Sequence, residues 1–108
     1  MKAVIYCRTS MAKQSVGIQI KALEDMATRS GYDVVELILD EGVSGTKMGA
    51  QRNGMKKVLK MANQRLVDVV LVYSVDRIGR KLSDVISIAE MLNEKGVGLI
   101  IHKNGIDT

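Results

Sequence analysis

The sequence predicts an α/β domain, a three-layer α/β/α sandwich on a mostly parallel sheet of four to five strands. Two observations predict it. Strand-like and helix-like segments alternate along the chain. The strand-like segments are also nearly continuous apolar runs, which need cover on both faces, as strands of a parallel sheet have. The 108 residues suit one domain. Aromatic residues make up only 3%, with no Phe and no Trp, so the core is expected to be aliphatic.

The elements follow in order. Lys2 to Arg8 (KAVIYCR) is short, apolar and β-rich. Val16 to Ser30 carries Ile18, Ala22, Leu23, Met26 and Ala27 at helical spacing, with Ser15 placed to cap its start and Gly31 its end. Val34 to Leu39 reads as a second strand. Met55 to Arg65 sets Met55, Val58, Leu59 and Ala62 on one helical face, with Asn53 as the cap. Val67 to Tyr73 is the strongest strand. Leu82 to Glu94 aligns Leu82, Val85, Ile86, Ala89 and Leu92, and Gly96 follows as a stop. Val97 to His102 is a fourth strand. No repeat or low-complexity segment interrupts the series.

Composition narrows the function. A net charge of +4 fits a polyanionic partner without demonstrating one. A single cysteine excludes an internal disulfide and a Cys-rich metal site. Cys7 lies inside an apolar run and reads as a buried, inert thiol. No His/Cys or carboxylate cluster stands out as a metal site, and no cofactor is expected. There is no apolar run of membrane-spanning length, and MKAVIYCRTS turns polar too early for a signal peptide; a cytoplasmic protein without membrane contact is expected. Scarce aromatics argue against binding by stacked bases.

In open parallel sheets ligands bind beyond the carboxyl ends of the strands, which directs attention to the residues that follow each strand. The first strand ends in Tyr6-Cys7-Arg8-Thr9-Ser10. The second runs into Asp40-Glu41-Gly42-Val43-Ser44-Gly45-Thr46-Lys47, with Arg52 at the far end of that loop. The third runs into Ser74-Val75-Asp76-Arg77-Ile78-Gly79-Arg80. Arginine grips a tetrahedral phosphate with paired hydrogen bonds and keeps its charge. Arginines gathered around a hydroxyl repel one another until an anion arrives, so phosphate is the natural occupant. A serine beside it is a candidate nucleophile, and the guanidinium groups would stabilise charge on the phosphoryl oxygens. Taken singly, each feature has a plainer explanation: Ser10 as a turn or cap residue, Asp76-Arg77 as a surface ion pair, Gly42 to Gly45 as a structural turn. The joint pattern carries the reading.

These residues resemble the resolvase/invertase superfamily of serine recombinases. YCRTS is similar to that family's Y-x-R-x-S signature, DEGVSGT to its loop after the second strand, VDRIGR to its D-R-[LI]-[GA]-R signature, and GIQIKAL to the segment downstream of the nucleophile. The likeness runs in order from Lys2 to about Ile106. It implies a resolvase-like catalytic domain over residues 1–108, with the family's long helix and DNA-binding region absent from this chain. It implies Ser10 as nucleophile, with Arg8, Arg77 and Arg80 as phosphate-binding arginines and Arg52 as a further active-site arginine. Asp76 would orient them, and Gln19, Asp40 and Ser44 would bind DNA phosphate or support the site. Two positions depart from the pattern: Thr9 stands where a small apolar residue is usual, and Asn53 follows Arg52 where proline is common.

The implied activity is site-specific recombination of resolvase, invertase, transposon or phage-integrase type. A DNA phosphodiester is attacked, leaving a 5′-phosphoserine link and a free 3′-hydroxyl, then strands are exchanged and rejoined. The implied partners are double-stranded DNA and further copies of the same protein, from dimer to tetramer. No metal, ATP or small-molecule substrate is implied. Three other readings fit parts of the pattern. A non-catalytic phosphate- or nucleotide-binding α/β module shares the architecture, but neither G-x-x-x-x-G-K-[ST] nor G-x-G-x-x-G occurs. A receiver-like signalling domain would need carboxylates where Arg8 stands. An inactive recombinase relative would keep the motifs without the chemistry.

Overall fold

A computed structural model describes residues 1–8, 16–40, 53–74, 82–102 and 106–107. The elements are β1 (Lys2–Arg8), α1 (Val16–Ser30), β2 (Asp33–Asp40), α2 (Asn53–Asn63), β3 (Val69–Val72), α3 (Leu82–Glu94), β4 (Gly98–Ile101) and β5 (Ile106–Asp107). The strands form one sheet in the order β2-β1-β3-β4-β5. β1 to β4 are parallel, and β5 pairs antiparallel with β4. This is the mostly parallel α/β sandwich the alternation predicts.

Side-chain alternation along β1 divides the core. Ala3, Ile5 and Cys7 pack with Leu23 and Ala27 of α1 on one face. Val4 and Tyr6 pack on the other with Met55 and Val58 of α2 and with Ile88 and Leu92 of α3. The core is aliphatic apart from Tyr6, and Cys7 is buried within it.

The expected stripes hold at Leu23 and Ala27 of α1, at Met55, Val58 and Ala62 of α2 and at Val85 and Leu92 of α3, all buried, and differ at single positions. On α1 the buried line is Gln19, Leu23 and Ala27, while Ile18 is 62% exposed. On α3 Ile88 is buried and Ile86 is exposed. In both helices the wider set of apolar residues spans more than one face, and packing selects the i, i+4 line that meets the sheet. β2 also departs from expectation. It lies at the sheet edge, and Val34, Val35, Leu37 and Leu39 remain exposed despite their apolar run. A register shift between Ala3 and Val4 of β1 leaves Val35 outside the pairing, the mark of a bulge.

The described helices end alike. In α1, Gly31 N–H donates to Thr28 C=O and Tyr32 N–H to Ala27 C=O; α2 repeats this with Arg65 to Ala62 and Leu66 to Met61; α3 repeats it with Gly96 to Asn93 and Val97 to Leu92. This paired pattern needs a left-handed residue after the helix. Gly31 and Gly96 supply it, as expected of stop signals, at φ 75° and 73°. Arg65 adopts φ 58° without being glycine.

Candidate active site

The chain order reverses direction across the sheet between β1 and β3, and the carboxyl edge at such a switch is where open α/β sheets hold ligands. β1 and β3 are parallel neighbours, with Tyr6 opposite Val72. The chain therefore leaves β1 after Arg8 and β3 toward Ser74 at the same edge. Ser74 is buried there.

Arg8 is the last residue of β1 and is only 7% exposed. Strand alternation puts it on the face of Tyr6, toward α2, and its register partner on β2 is Asp40. The backbone at this point is held from the opposite face. Gln19 of α1 is fully buried, and its Nε2 donates to the Arg8 carbonyl oxygen at 3.3 Å. A buried amide needs such a partner to offset its lost hydration. Gln19 thus occupies a core position at the head of the α1 stripe and grips the strand end two residues before Ser10.

Asp40 is 5% exposed and accepts three hydrogen bonds. Tyr6 Oη donates to its Oδ2 at 2.6 Å, Gly54 N–H to its Oδ1 at 2.7 Å, and Met55 N–H to its Oδ2 at 3.2 Å. The last two donors belong to the first turn of α2, whose N–H groups have no partner within the helix. An N-cap side chain normally satisfies these donors. Here a carboxylate from another strand does so, adding a favourable charge at the positive end of the helix. Asn53, read from sequence as the cap, is instead the first residue of the helix.

Among the residues singled out from sequence, the structure brings Arg8, Gln19 and Asp40 to one edge. Ser10, Ser44, Arg52, Asp76, Arg77 and Arg80 lie outside the described residues. Sequence reasoning did not single out Tyr6 as a partner of Asp40, or Gly54. A signal for Tyr6 existed: it is the one aromatic residue in an aliphatic strand and shares a face with Arg8 at i+2. Gly54 offered only a glycine in a first helical turn, where its low helix propensity calls for a reason. Buried Asp84, in the first turn of α3, was likewise not singled out. Among the described residues no helix is long and apolar enough to cross a membrane.

The family described as "Resolvase, N terminal domain" matches residues 3–108. The DNA-invertase of Escherichia phage P1 is 33% identical over 103 residues, which are 95% of this chain and 50% of that protein. The N-terminal catalytic domain of TP901-1 integrase superposes with a TM-score of 0.90 at 29% identity, covering 100% of this chain and 82% of that one. The C-terminal catalytic domain of ISC1926 TnpA, an IS607-like serine recombinase, superposes at 0.85 with 37% identity, covering 95% of this chain and 70% of that one. The chain spans about half the length of the curated relatives it matches.

Proposed function

The chain belongs to the resolvase N-terminal-domain family, and on that premise we propose that it is the catalytic domain of a site-specific DNA recombinase that uses Ser10 as its nucleophile. The observation that carries the reading is the shared edge: β1 and β3 are adjacent and parallel, so the segment holding Ser10 and the segment holding Asp76, Arg77 and Arg80 set out from neighbouring strand ends.

The chemistry is a phosphoryl transfer. Ser10 Oγ attacks the phosphorus of a DNA backbone linkage as its proton leaves. The bond from phosphorus to the 3′-oxygen breaks, and that oxygen takes up a proton. The products are a 5′-phosphoserine ester and a free 3′-hydroxyl. The ester conserves the bond energy, so attack by a 3′-hydroxyl of the exchanged strand reverses the step without ATP. Arg8, Arg52, Arg77 and Arg80 stabilise the charge on the phosphoryl oxygens, and Asp76 orients the arginines. Ser44, in the segment that follows β2 in the chain, supports the site. Double-stranded DNA is the substrate, additional copies of the protein supply the other cutting sites, and the reaction belongs in the cytoplasm. This domain handles phosphates, which position DNA without reading its sequence.

The test uses the intact protein that carries this chain. DNA that stays attached after denaturing purification is sequenced to locate the target, and a duplex of that sequence is then offered to wild type and to Ser10→Ala. Wild type is expected to form an adduct whose phosphopeptide contains Ser10, and the variant none. An adduct with Ser10→Ala would refute the nucleophile, and no adduct with either protein would leave a phosphate-binding module in place of an enzyme.

A further inference from the structure

We propose that the outer face of α2, through Lys56 and Lys60, is an accessory contact for the DNA phosphate backbone beside the reacting linkage. The proposal rests on the recombinase reading and adds a second contact to the same substrate.

Charge is segregated among the described helices. α2 carries Lys56, Lys57 and Lys60 and no acidic residue. α3 carries Asp84, Glu90 and Glu94 and no basic one. α1 balances Lys21 and Arg29 with Glu24 and Asp25. A polyanion that approaches the carboxyl edge of the sheet is therefore drawn to α2 and repelled by α3.

The lysines face solvent. Met55, Val58 and Ala62 fill the buried side of α2, while Lys56, Lys57 and Lys60 are exposed. Lys57 is already paired with Glu36 of β2, at 3.2 Å. Lys56 and Lys60 lie one turn apart on the same side, about 6 Å along the axis. Among the described residues neither has an ion-pair partner. Helix physics gives no reason for this arrangement. Lysines at the start of a helix oppose the positive end of its dipole, and like charges at i, i+4 repel. An anion laid along the face relieves both conflicts. The N–H groups of Gly54 and Met55, bonded to Asp40, fix the first turn of α2 at the carboxyl end of β2. The lysine track thus starts at the edge where Arg8 lies, opposite Asp40, and leads away from it along α2.

The test measures the Kd of the intact protein for its identified duplex over a range of salt concentrations. The double variant Lys56→Gln/Lys60→Gln is expected to lower the slope of log Kd against log salt by about 2, and to weaken binding about tenfold at roughly 0.1 M salt. A scrambled duplex of the same length should lose as much, because phosphate contacts carry no sequence information. Lys21→Gln/Arg29→Gln removes the same charge from α1 and is expected to leave the slope unchanged. An unchanged slope in the α2 variant, or an equal fall in the α1 variant, would overturn the proposal. So would a fall in sedimenting mass without DNA while the slope stays intact, which would assign the face to α3 of a second copy. In the absence of DNA the α2 variant should melt no lower than wild type; a lower midpoint would show that the lysines serve the fold and would overturn the proposal too. Ser10→Ala keeps the two claims apart. An adduct persisting there refutes the recombinase reading, whereas a Ser10-dependent adduct with an unchanged slope refutes only the α2 contact.

Discussion

The two edges of the sheet solve the same problem by opposite means. At the amino edge the helix ends are satisfied by their own backbone, although Asp68 there also accepts from Lys2 N–H at 2.7 Å. Each helix closes with the same pair of short-range bonds, made within five residues of their acceptors. At the carboxyl edge the chain relies on distant side chains: Gln19 reaches Arg8, Asp40 reaches Gly54, and Tyr6 reaches Asp40 from an adjacent strand. The amino edge therefore tolerates change as a local motif does, while the carboxyl edge couples several elements, so that one substitution is felt by all of them.

The largest effect that would test this contrast is Asp40→Ala. It leaves the Tyr6 hydroxyl and two first-turn N–H groups without their acceptor in a buried site, and an orphaned buried donor costs about 1–3 kcal/mol. Urea unfolding should show a loss on the order of 3 kcal/mol. A loss under about 1 kcal/mol would mean that water replaces the carboxylate freely and that the edge is not coupled.

At the amino edge, Gly31→Ala and Gly96→Ala should each cost about 1–2 kcal/mol. There the space is open and only the positive φ is at stake. The two losses should add in the double variant, because the sites belong to separate helix ends; strong non-additivity would break the picture of independent local caps. Arg65→Gly runs the other way. It relieves the left-handed conformation at φ 58° and should raise stability by about 0.5–1 kcal/mol, with a higher thermal midpoint. An unchanged or lower midpoint would show that the Arg65 side chain compensates for its backbone.

The smallest effect sharpens the comparison from outside. Lys57 Nζ and Glu36 Oε2 are 3.2 Å apart across α2 and β2 but well exposed. Lys57→Ala should cost only a few tenths of a kcal/mol, and the cost should fade in high salt. A larger, salt-insensitive cost would mean that Lys57 does more to hold α2 to β2 than an exposed ion pair can, beside the hydrogen bonds at Asp40.

Much of the fold was legible because its signals are local. Gly31 and Gly96 announced helix ends, since a left-handed residue is cheap only for glycine. Arg65 gave no such sign. The strand runs marked a parallel sheet, yet edge position left β2 more open than its composition implies. For the candidate site, the sequence pointed to Arg8, Gln19 and Asp40 as members without telling how they act. It carried Tyr6 only as the first letter of the Y-x-R-x-S signature and passed over Gly54; the meaning of both lies in contacts with residue 40 rather than with their neighbours in the chain.

By itself the sequence determined the order and type of the elements from β1 to β4, the aliphatic core and the family motifs, because periodicity, stop signals and short signatures are written within a few residues; it did not place β5. Tertiary structure alone decided which face of each helix is buried, which strand is the edge, and that a carboxylate ending β2 caps the helix beginning at Asn53. Those outcomes depend on distances between residues far apart in the chain, which exist only after the sheet has formed.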